Sequence, residues 1–220
     1  MAKPSYITCA PTSGSNNGTV KVTCASGYKG RAQRSGTISI GSKSVAVTQF
    51  GAPLYVNITA SKTTADKDGD TINITGRTNG RVINVSTDNS AVFPISILTQ
   101  GNNSGSGSSS SKTVTPASDP GTNDEITFTV TIYVPSNGST STRSGRITAT
   151  VQGDTSAQTA SANINLSQQA GNATLNVSPT TLYFTADGVP CDANGDEISG
   201  ATQANGQNVT VTSNTTWEVS

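Results

Sequence analysis

The sequence predicts an all-β chain of tandem antiparallel β-sandwich domains, the last of them incomplete. Three observations carry this prediction. Thr, Ser, Asn, Gly and Val dominate the 220 residues, a composition that suits twisted strands and polar turns and offers little helix potential. The apolar residues fall in short runs that alternate with polar ones, so each run presents one apolar face. Arg-Ser-Gly followed by two strand-like runs and a Gln also occurs twice. It appears as RSGTISIGSKSVAVTQ at 34–49, and as RSGRITAT at 143–150 with NINLSQ at 163–168. Self-similarity of this kind indicates repeated structural modules.

Three segments open alike, at Ile7-Thr8-Cys9-Ala10-Pro11, Leu54-Tyr55-Val56-Asn57-Ile58 and Leu175-Asn176-Val177-Ser178-Pro179. Each reaches a Gly-containing turn and a second alternating strand: Val20–Cys24, Ile72–Gly76 and Val209–Ser213. The boundaries that follow are 1–52 for a small N-terminal β-domain with an anchoring role, 53–171 for a full sandwich, and 172–220 for an opening half. In the second domain strands are predicted at 54–58, 71–76, 81–86, 92–99, 125–134, 145–151 and 161–168. Seven short strands separated by turn signals predict an immunoglobulin-like sandwich. No Cys–Trp–Cys pattern accompanies them.

About fifty residues rarely hold a core alone, so the first domain is expected to lean on a neighbour. The third carries Leu175, Val177, Phe184, Val209, Val211 and Trp217, with no Arg-Ser-Gly strand or closing Gln before Ser220. Such a face needs covering, by strands beyond Ser220 or from a partner. Trp217 is expected in that core. GNNSGSGSSSS at 101–111 has the composition of a disordered surface loop.

Enzyme chemistry finds little foothold. There is no His, so Ser-His-Asp and Cys-His arrangements and His metal ligands are excluded. No phosphate-binding Gly-x-x-x-x-Gly-Lys loop occurs. Asp66, Asp68 and Asp70, and Asp192, Asn194, Asp196 and Glu197, alternate around Gly as calcium loops do, but position 77 is Arg where an EF-hand has its bidentate Glu. They read as β-turn residues. No catalytic, cofactor-binding or metal residue is assigned, and no cofactor is expected. Cys9 and Cys24 share the parity of Ile7 and Val22, so both are expected to face the first core, as buried free thiols with a disulfide between neighbouring strands as the alternative, and Cys191 has no evident mate. The Asn-x-Ser/Thr sequons at Asn57, Asn73, Asn137, Asn176 and Asn208 reflect the composition. With 13 basic and 13 acidic side chains, neither nucleic acid nor an anionic membrane is an expected partner.

ATLNVSPTTLYFTADG at 173–188 and GQNVTVTSNTTWEV at 206–219 resemble the opening of a BACON domain. This immunoglobulin-like family occurs in Bacteroidales and their crAss-like phages. Val177, Ser178, Pro179, Phe184, Gly188, Ser213, Asn214 and Trp217 match its pattern, and the insertion at 189–205 departs from it. VTQFGA at 47–52 and NLSQQAG at 165–171 resemble the family's last strand. The resemblance implies tandem BACON-like modules and carbohydrate or mucin binding without fixed contact residues. MAKPSYITCAP has no signal-peptide core, which favours assembly in a cytoplasm. The expected function is therefore a phage virion structural protein, a capsid decoration or head fibre on the capsid surface. Its expected partners are the major capsid protein or other virion proteins, further copies of itself, and host-surface glycans. The alternative is a glycan- or mucin-binding protein of the bacterial cell surface.

Overall fold

Period-two burial is the organising feature of the fold. In a computed structural model that describes residues 3–122 and 124–220, Ile72, Ile74, Gly76 and Thr78 are buried along one strand while Thr71, Asn73, Thr75 and Arg77, on its other face, are exposed. The strands are β1 (Ile7–Ala10), β2 (Lys21–Cys24), β3 (Arg34–Ile40), β4 (Lys43–Gln49), β5 (Val56–Ala60), β6 (Thr64–Ala65), β7 (Asp70–Thr78) and β8 (Val82–Thr87). They continue with β9 (Ile97–Gln100), β10 (Asn103–Gly105), β11 (Ser111–Val114), β12 (Ile126–Val134), β13 (Arg143–Gln152), β14 (Thr159–Gln168), β15 (Leu175–Ser178) and β16 (Thr210–Ser213). Two short 3₁₀ turns, at Pro120–Thr122 and Gln203–Asn205, complete the described elements. The chain divides into two compact units. One runs to Ser136 and includes Arg143–Gln168; the other comprises Asn137–Thr142 and Gln169–Ser220.

The larger unit contains a sandwich of two five-stranded sheets, ordered β10-β9-β12-β7-β5 and β11-β8-β13-β14-β6. Strands β5, β7, β12 and β9 reproduce the A-B-E-D sheet of the immunoglobulin arrangement, and β8, β13 and β14 reproduce C-F-G. The first edge strand switches sheets: β5 pairs antiparallel with β7, and β6 pairs parallel with β14. The inner faces meet in one core that includes Ile72, Ile74, Ile83, Phe128, Val130 and Ile147. Phe128 lies directly opposite Gly76 on β7, where a Cβ would collide with its ring.

The repeated Arg-Ser-Gly and Gln prove to be cross-strand partners. Arg34 pairs with Gln49 across β3 and β4, and Arg143 pairs with Gln168 across β13 and β14. The residue four after each Arg, Ile38 or Ile147, is fully buried. The Gly of each triplet admits a neighbouring side chain: Pro4 over Gly36, and Phe93 over Gly145. Each closing Gln then ties the chain down. Gln49 accepts from Arg34 Nε at 2.9 Å and donates to Ala25 O, while buried Gln168 donates to Asp66 O and Pro135 O at 3.1 and 2.6 Å.

Residues 101–111 differ from the loop expected of them. Gly101 and Asn102 make a two-residue turn with Gly101 at φ +56°, and β10 then pairs back on β9. Such turns need positive φ, which Gly adopts without steric cost. Ser109 bridges Ile95 and β11 begins at Ser111 beside β8. Only backbone groups are required for this pairing, so Ser and Gly suffice once the edges of β8 and β9 are present. The predicted strand at 92–99 shortens to Ile97–Gln100. Val92 and Phe93 are buried in a turn, with Phe93 N donating to Asn89 O at 2.8 Å, and Ile95 is buried on its single bridge to Ser109.

Cys24 also departs from expectation. It lies opposite Ile7 and so on the same face, but β2 is exposed along its whole length. Parity was right and burial was not, because β3 and β4 cover β1 and leave β2 at the margin. Ile7, Cys9 and Ile38 form the small core, with Tyr6, Val20 and Val47 packed on it. All three Cys are free thiols.

Candidate assembly sites

The segment between β2 and β3 carries Tyr28, Lys29 and Arg31 onto one end of the sandwich. Arg31 has a side chain only 5% exposed and donates from Nη2 to Asp119 at 2.9 and 3.2 Å and to Asp154 at 2.8 Å. Its Nη1 donates to Asn79 O. Burial alone would lower its pKa, but hydrogen bonds from the guanidinium to Asp154 and Asp119 outweigh that and raise it. Around it the backbones knit together. Ala32 N donates to Gly121 O at 2.6 Å, and fully buried Asn79 donates to Lys29 O and Pro53 O at 2.9 and 3.0 Å. Burying these amides is tolerable because each finds a partner.

Glu125 forms the second half of the joint. It accepts from Lys29, from Tyr55 Oη at 2.7 Å and from Arg77 Nη1 at 3.0 Å. These bonds, Lys29 first, pull its carboxyl down to about 2. Tyr55 is pushed well above its ordinary range, chiefly by burial and then by its bond to Glu125. Beside the joint, the Arg34 guanidinium lies 4.1 Å from the ring centres of both Tyr6 and Tyr28, a doubled cation–π contact. The expected dependence of the first domain on a neighbour is thus met by a polar seam, not by a shared apolar core.

The seam makes a pH prediction. A carboxyl held below its unfolded value stabilises the fold above that value, and the gain is lost as the pH falls through the folded one. With an ordinary value of 4.5 and a folded one of about 2, Glu125 contributes fully above about pH 5 and nothing near pH 2. Lys29 and Arg77 are half exposed, so solvent screening reduces the contribution to about 1–2 kcal/mol. Urea titrations of Glu125→Gln should show that deficit at pH 7 and its disappearance by pH 2. A deficit independent of pH would contradict the assignment.

The second site lies in the smaller unit. β15 and β16 pair in register with Val177 opposite Val211. A groove of about 490 Å³ beside them is lined by Leu175, Val177, Val209, Val211, Trp217 and Val219. Trp217, expected in a core, is 51% exposed and lies outside the strands. No described residue packs over that face to bury it. The insertion after Phe184 folds back on itself: Phe184 bridges Pro190, and Cys191 bridges Glu197 and is buried.

The acidic turns satisfy themselves. Asp66 Oδ1 accepts from Asp68 N at 3.0 Å, Asp70 pairs with Lys62 at 2.5 Å, and Lys67 pairs with Asp68. The Asp192 carboxylate accepts from Asn194 N and Asp196 N at 2.8 and 3.0 Å, which lowers its pKa. These are the bonds of Asx turns.

No protein-family model matches the chain, and no curated protein matches it. Among solved structures, the chain is similar to Spo0M, a sporulation control protein of Bacillus subtilis, at 13% identity and a TM-score of 0.31. That match covers 55% of this chain and 51% of the other, about half its length. BslA, a bacterial hydrophobin, matches at 16% identity and 0.28, over 54% and 95%. The Escherichia coli chaperone DraB matches at 10% and 0.23, over 67% and 80%. Similarity at this level carries no argument about fold or function.

Proposed function

We propose that the chain is a virion structural protein, a capsid decoration or head fibre of a tailed phage, whose N-terminal β-domain anchors it and whose BACON-like modules are displayed outward. The role is structural, not catalytic. The observation that carries this reading is the seam at Arg31 and Glu125. A domain with three fully covered core residues, Ile7, Cys9 and Ile38, is fixed to a full sandwich through buried polar groups, which resist bending. A displayed element needs such a joint. Partners are the major capsid protein or other virion proteins, and further copies on the same particle turn weak glycan contacts into avidity.

A second reading has its own observation. Tyr183 and Phe184, at 44% and 47% exposure, and Trp217 offer aromatic faces of the kind that pack on sugar rings. They favour a glycan-binding protein of the bacterial cell surface. Immunogold imaging of purified phage particles with an antibody to residues 1–52 separates the two. Labelled capsids are expected. Unlabelled particles together with labelled bacterial outer membranes would overturn the virion reading in favour of the second.

A further inference from the structure

We infer that the open face of β15 and β16 is a docking site for a closing β-hairpin with the chemistry of β3–β4. The argument starts from an internal equivalence. β1 and β2 pair as Ile7–Cys24, Thr8–Thr23, Cys9–Val22 and Ala10–Lys21; β15 and β16 pair as Leu175–Ser213, Asn176–Thr212, Val177–Val211 and Ser178–Thr210. The register is the same residue for residue, Lys-Val-Thr-Cys aligns with Thr-Val-Thr-Ser, and a Pro follows each first strand. The two strand pairs are one building block used twice.

Their surroundings differ. Ile7 and Cys9 are 0% and 4% exposed, whereas Leu175 and Val177, at the same places, are 55% and 44% exposed. What covers the first pair is known from the same chain: Ile38 and Val47 of the hairpin β3–β4. The sandwich repeats the solution, with β13–β14 placing Ile147 and Leu166 in the core that holds Val56 and Ile58. In both hairpins the strand that begins Arg-Ser-Gly supplies the buried Ile, and the strand that ends in Gln supplies the second apolar residue, opposite the Gly. The occupant of the third face therefore has a stated chemistry: two antiparallel strands, Arg-Ser-Gly-x-Ile on one and an apolar residue two before a Gln on the other. A pair of two-stranded sheets packed face to face removes both apolar surfaces from water.

Trp217 is the single Trp of the chain and lines the groove, so its emission reads occupancy directly. The probe is a synthetic peptide of residues 34–49, added to the 220-residue chain, with a scrambled peptide and an Ile38→Asp peptide as controls. A blue shift and at least a threefold fall in acrylamide quenching are expected with the native peptide alone. Val177→Asp in the chain should weaken that binding at least tenfold. Should the free peptide self-associate, fusing residues 25–49 after Ser220 provides the second measurement, and Trp217 must then become protected. Unchanged emission in both formats, an equal response to the scrambled peptide, or protection of Trp217 by self-association of the chain without any peptide would each overturn the inference.

Discussion

An Arg31→Ala chain is expected to lose about 2–4 kcal/mol of stability and to release its first fifty residues to protease while the sandwich stays intact. The size follows from what the guanidinium leaves behind. Asn79 O is enclosed and loses its donor, and Asp119 and Asp154 lose a shared cation at 2.9 and 2.8 Å. Those carboxylates are partly exposed, so water recovers part of the loss, which keeps the estimate below that of a fully buried pair. Arg31→Lys should recover little, because an ammonium cannot address two carboxylates and a carbonyl in one plane. The first domain has too small a core to survive undocked. Urea midpoints and limited proteolysis followed by mass spectrometry check both parts. Native protease resistance of residues 3–52 in the Ala variant would show that the seam is not what holds the domain.

None of that seam was legible in the sequence, and the reason is distance. Arg31 meets Asn79, Asp119 and Asp154 at separations of 48, 88 and 123 residues, and a period-two reading carries no information about such polar partners. What alternation encodes was legible. β7, β12, β13 and β14 lie within a residue or two of their predicted spans, because each buries one face and a register slip would expose it. The apolar run at 92–95 misled the reading: Val92, Phe93 and Ile95 signal burial, and a turn followed by a single bridge can bury side chains as well as a strand can. The Ser/Gly tract at 101–111 misled it the other way, since edge pairing uses backbone groups that every residue carries. Trp217 shows a third limit. Its apolar character was plain, but whether a face is covered depends on strands elsewhere.

The largest core effect is expected at the contact between Phe93 and Gly145, and it explains why Gly follows Arg-Ser in the closing strand. Phe93 is fully buried, held by a turn in which its N–H bonds Asn89 O, while Asn89 Nδ2 bonds Ser144 O at 2.8 Å beside the glycine. A Cβ on Gly145 would lie 2.7 Å from Phe93 Cδ2 and 3.1 Å from Asn89 Cβ, well inside contact distance. Phe93→Ala should therefore cost about 3–5 kcal/mol through the cavity it opens. Gly145→Ala should cost about 1–3 kcal/mol through overpacking against a ring that has nowhere to move. The two costs should not add. With the ring gone, the new methyl group enters the vacated space, so the double variant should be more stable than the sum of the single losses by at least about 1 kcal/mol. Urea denaturation of the three variants measures the coupling. Strict additivity would mean that the glycine serves the backbone of β13 alone, and that its presence in both closing hairpins has a cause other than the side chain packed over it.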